Sequence, residues 1–75
     1  MNKERRKWAG KVQDKLMEAQ ADIEEIKSEE EMAYDNLPEG IQDSERGEAM
    51  QEAIELLEAA YDSVQDAIDN LSELL

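Results

Sequence analysis

The sequence predicts an all-α protein: an antiparallel two-helix hairpin that pairs with a second copy into a four-helix bundle. Three observations carry this reading. Apolar residues recur at spacings of three and four through two long stretches. The only proline and two of the three glycines fall in one short segment between those stretches. The second stretch also carries more apolar columns than a single partner helix covers.

The short segment, Tyr34 to Glu48, is the corner. Pro38 lacks an amide hydrogen and disfavours helical backbone at Leu37, so the first helix stops there. Gly40 permits the positive φ of a tight reversal. Ser44 is a good N-cap, with Glu45 in the first turn behind it. Gly47 costs about 1 kcal/mol inside a helix, so close packing against the Pro38–Ile41 corner is expected there. The single domain, 1–75, divides into a first helix at about 3–36, a corner at about 37–43 and a second helix at about 44–75.

On the first helix the expected seam is Ala9, Val12, Leu16, Ala19, Ile23, Ile26, Glu30, Ala33 and Leu37, with Trp8 flanking its open end. Glu30 occupies a core position and reads as a register-setting polar residue, with Tyr61 a bonding partner. On the second helix, Met50, Leu57, Val64 and Leu71 form one column. Ala53, Ala60, Ala67 and Leu74 form the next, and Ile54, Tyr61, Ile68 and Leu75 a third. A corner centred near residue 43 sets Leu37 opposite Met50, Ile23 opposite Val64 and Leu16 opposite Leu71. The third column, Ile54, Tyr61, Ile68 and Leu75, is then expected to stay partly wet in a monomer. Such a strip marks either a homodimer contact or a dock for a different protein.

Composition narrows the chemistry. There is no cysteine and no histidine, hence no disulfide, no thiolate metal site and none of the commonest general base. Paired acids such as Glu18 with Asp22, or Glu25 with Glu29, point outward rather than into a metal-binding core. No nucleophile–base pair or glycine-rich phosphate loop is present. The expectation is a non-enzymatic protein without cofactors. No apolar run reaches a membrane span and no signal peptide opens the chain, so the expected location is the cytoplasm. A net charge of −13 disfavours nucleic acid and anionic membrane as partners and favours a basic protein surface.

The acids of the second helix are ordered. Glu48, Glu55, Asp62 and Asp69 repeat every seven residues, and Glu45, Glu52, Asp66 and Glu73 repeat beside them with a gap at Ala59. Steps of three or four residues separate carboxylates by roughly 4.5–6 Å along the axis, close to the spacing of phosphates on one nucleic-acid strand. The ladder suits a basic groove; the plainer reading is a solubilising surface. Yet Arg46 is the only base after Lys27, where bundle surfaces ordinarily mix both signs. Arg46 is expected to pair with Asp35 or Glu39. At the amino terminus, Lys3, Arg5, Arg6, Lys7, Lys11 and Lys15 are expected to pair with Asp66, Asp69 and Glu73. A weaker alternative has the patch touching nucleic acid, with Trp8 as a stacking ring.

The run YDNLPEGIQDSERGEAM, continuing into the Ala53-Ile54, Leu57 and Ala60 register, resembles a group of short, acidic, uncharacterised proteins of bacteriophages and mobile elements. Asn36-Leu37-Pro38-Glu39 and Ser44-Glu45-Arg46-Gly47 carry the resemblance, which spans about residues 29–60. It implies a setting rather than a chemistry: small phage proteins often bind and disable a host protein. The functional expectation is a phage-type inhibitor or modulator of a bacterial nucleic-acid-handling or defence protein, acting through the acidic face. The alternative is a structural homo-oligomer or assembly adaptor.

Overall fold

Asn2 opens the first helix by accepting a hydrogen bond from the Arg5 amide at 2.8 Å, satisfying one of the free N–H groups of the first turn. In the computed structural model, which describes residues 1–75, helix α1 spans Lys3–Asp35 and helix α2 spans Glu45–Ser72. The two pack antiparallel into a rod of 58 × 14 × 12 Å. Helix α2 ends three residues before the last one, with Glu73 and Leu74 in a final turn.

The corner is held by local chemistry. Gly40 has φ +86°, the left-handed region in which a Cβ is strained. The Ser44 hydroxyl donates to the Ile41 carbonyl and accepts from the Gly47 amide, capping α2. Gln42 Nε2 donates to the Tyr34 carbonyl at 3.1 Å, tying the corner to the end of α1. Gly47 is buried, and the atoms nearest to it are the backbone of Gln42, the residue that follows the Pro38–Ile41 stretch. Gly40→Val is expected to lower stability by about 1 kcal/mol or more, read as a fall in the thermal midpoint. An unchanged midpoint would show that the positive φ is not needed.

The seam differs from the expected one on α1. Ala9, Leu16, Ile23, Glu30 and Leu37 do turn toward α2, but the alternating positions are Gln13, Gln20, Lys27 and Tyr34. Val12, Ala19, Ile26 and Ala33 are exposed. Helix α1 is thus rotated so that a polar column packs inward. Two physical reasons favour this rotation. Each polar residue finds a partner on α2, and the long stems of Gln13, Gln20 and Lys27 cover more seam than the methyls of Ala19 and Ala33.

On α2 the seam combines Met50, Leu57, Val64 and Leu71 with the column expected to be wet. Ile68 is 4% exposed, the most buried apolar side chain, and Ile54 and Tyr61 are half-buried. Only Leu75 of that column lies open, at 57%. The strip is therefore part of the hairpin's own core, because α1 faces the groove between the two columns rather than one column alone. Only four residues in all are buried: Ala9, Gln13, Gly47 and Ile68.

Candidate functional site

Four polar pairs cross between the helices at seven-residue intervals. Gln51 Nε2 donates to the Tyr34 hydroxyl at 2.7 Å, and Lys27 Nζ lies 3.0 Å from Glu58 Oε1. Gln20 Nε2 donates to Gln65 Oε1 at 2.7 Å. Gln13 Nε2 donates to the Ser72 hydroxyl and, at 3.0 Å, to the Ile68 carbonyl. Every pair is equidistant from the Gln42–Asp43 junction, so the ladder measures the antiparallel register. No buried side-chain polar atom is left without a partner. Only the Gln13 bond to the Ile68 carbonyl is buried, and the other pairs are part-buried or exposed, so each adds little net stability and a slipped register leaves chiefly Gln13 unsatisfied.

Lys27 is the one cation with ion pairs, to Glu58 and, at 3.5 Å, to Glu31. Its hydrogen bond to Glu58 raises its pKa above the ordinary lysine value; partial burial opposes this, and the charges of Glu58, Glu31 and Glu24 reinforce it. A raised lysine stabilises the fold below the ordinary lysine pKa and loses that contribution as pH climbs through the folded value. The contribution is constant across neutral pH.

The acidic ladder lies on the side of α2 turned away from the seam. Glu45, Glu48, Glu52, Glu55, Asp62, Asp66, Asp69 and Glu73 are all exposed, and none is within 4.0 Å of a cation. Asp69 alone is engaged, accepting from Gln65 Nε2 at 3.0 Å, which links the ladder to the polar pairs beside it. No three acidic side chains converge closely enough to hold a metal ion.

The pairings expected for the remaining charges do not form. Arg46 makes no ion pair with Asp35 or Glu39, and Lys3 to Lys15 make none with Asp66, Asp69 or Glu73. These side chains are exposed, and in water a single geometry for two long chains gains little over solvation. Glu30 is half-buried on the seam without a bond to Tyr61; the tyrosine used by the ladder is Tyr34. Trp8 is 69% exposed and, with Met1, Ala9, Val12, Leu71 and Leu74, lines an open apolar groove at the free end of the hairpin. No helix is long and apolar enough to cross a membrane.

The polar pairs were legible as a repeat, since Gln13 and Gln20 lie seven apart and Lys27 and Glu58 carry opposite charges at mirrored distances from the corner. Only the rotation of α1 makes them a set. No protein-family model matches this chain, and no curated protein or solved structure matches it.

Proposed function

We propose that the hairpin is a non-enzymatic protein-binding module whose acidic α2 surface engages a basic, nucleic-acid-binding surface of another protein. The observation that carries this is the row of eight exposed carboxylates in two adjacent columns, none of them neutralised by a cation of the chain itself. Unpaired acids at phosphate-like spacing on a rigid helix suit a groove built for a nucleic-acid backbone. The resemblance of the corner to short phage proteins gives the setting: an inhibitor or modulator of a nucleic-acid-handling or defence protein in the cytoplasm of a bacterial host.

The test is capture of a partner from bacterial lysate at low salt, comparing the native chain with Glu55→Lys/Asp62→Lys. A captured basic protein should be released by raised salt and by duplex DNA, since many charge contacts form together. The double variant should lose it while keeping its helical circular-dichroism signal, because exposed charges contribute little to folding. Equal retention by the double variant would end the mimicry reading.

A second reading, a homo-oligomer or assembly adaptor in which two hairpins form a four-helix bundle, is favoured by a different observation. Val12, Ile26, Leu56 and Leu74 are all exposed, and Ile26 and Leu56 are 51% and 64% open.

A further inference from the structure

One lateral face of the rod is uncharged along α2. Ala53, Ala60, Ala67 and Leu74 form its inner column, and Ala49, Leu56, Ser63 and Asn70 the column beside it. At 100° per residue both lie on the side of the seam opposite Gln51, Glu58, Gln65 and Ser72, and the groove shared by Val12 and Leu74 joins them to α1. Helix α1 contributes Val12, Ala19, Ile26 and Ala33 to the same face, the column its rotation leaves outside. We propose that this face is covered by a second copy of the chain lying antiparallel, α1 on α1 and α2 on α2. The proposal rests on the four-helix-bundle reading and adds the face, the direction and the register.

Surface area calls for an occupant. The hairpin exposes 5787 Å², whereas a compact monomer of this mass exposes about 4,700 Å². Covering one 58 × 14 Å face on each copy removes on the order of 1,600 Å² in total, the size of a stable interface.

Charge selects the direction. Residues 1–15 and 65–75, the free end, hold six bases and five acids, net +1; residues 16–64 hold two bases and sixteen acids, net −14. An antiparallel copy lays its free end over the acidic stretch of the other. A two-fold axis along the rod would instead stack −14 on −14, within a Debye length of about 10 Å at 0.1 M salt.

Side-chain size selects the register. Centring α1 on residues 22–23 sets Val12 against the partner's Ala33 and Ile26 against the partner's Ala19, large on small at each level. Centring α2 on residues 63–64 sets Leu74 against the partner's Ala53 and Ala60 against the partner's Ala67. The polar ladder independently places residues 22–23 of α1 level with 62–63 of α2, within one residue of that second centre. The two helices therefore point to one axis. On the rim, Lys15 comes within one residue of the level of the partner's Glu29. The groove beside Trp8 comes level with the partner's corner, where Ile41 is exposed. Both acidic ladders stay outside.

Sedimentation equilibrium at micromolar concentration and above should give about twice 8.6 kDa. Ala60→Glu and Ile26→Glu, at exposed positions, should each return a monomer with the helical signal kept. The chain has no cysteine, so engineered ones report without background. Ala60→Cys/Ala67→Cys should oxidise to a covalent dimer, and each single variant should not. A monomer at all concentrations overturns the bundle reading and this proposal together. A dimer that survives both glutamate variants overturns the face. A dimer broken by them whose double-cysteine variant fails to crosslink overturns the direction and register but leaves the bundle.

Discussion

Gly47→Ala is expected to lower the stability of the hairpin by about 2–3 kcal/mol, at the upper end of what overpacking does. A Cβ built at Gly47 would sit 1.9 Å from the Gln42 carbonyl oxygen, 2.5 Å from its carbon and 2.8 Å from its Cα. These are backbone atoms, and no side-chain rotation relieves the overlap. The corner must move, and with it the Ser44 cap and the bond from Gln42 to Tyr34. The gain of roughly 1 kcal/mol in helix propensity is already set against that loss. For a domain of 60–100 residues each kcal/mol moves the thermal midpoint by about 4–8 °C, so a fall of roughly 10–20 °C is expected. Gly10→Ala supplies the control. Its Cβ would meet only Leu75 Cδ2, at an ordinary 3.8 Å, and the same propensity gain should raise the midpoint. Melting both variants at one fixed protein concentration removes any contribution from association. If Gly47→Ala matches Gly10→Ala, the close approach of α2 to the corner is refuted.

Ile68→Ala should cost about 2–4 kcal/mol, the range for truncating a buried isoleucine. At 4% exposure, Ile68 is the best-covered apolar side chain of a core with only four buried residues. No second core compensates. Its carbonyl also accepts from Gln13 and Ser72, so loosening this turn disturbs the last rung of the polar ladder. Met32→Ala, at an exposed position on the outer side of α1, should stay within about 0.5 kcal/mol. Urea denaturation of the two variants, with unchanged m-values, is the measurement. A mild effect at Ile68 would mean that its column faces water, as the apolar spacing alone suggested. For the same reason a charge placed at Ile68 probes the fold of one hairpin and not a contact between two.

The chain by itself determined the two helices, their antiparallel return and the chemistry of the corner. These follow from local rules: Pro38 and Gly40 restrict or free φ within a residue or two, and Ser44 caps the helix that begins beside it. The heptad columns were legible for the same reason, since a helix repeats its faces whatever it packs against. What the sequence left open was which two columns of each helix meet. On α1, Ala9, Leu16 and Ile23 serve equally with Val12 and Ile26 on one flank or with Gln13, Gln20 and Lys27 on the other. Apolar content alone favours the first flank. The second is used because Gln13, Gln20, Lys27 and Tyr34 find Ser72, Gln65, Glu58 and Gln51 at matching levels, partners that lie 17 to 59 residues away. That complementarity is a property of the pair of helices and is absent from either one. It buries Ile68, half-buries Ile54 and Tyr61 against α1, and leaves Val12, Ile26 and Ala60 outside, because a helix rotated toward one flank must uncover the other.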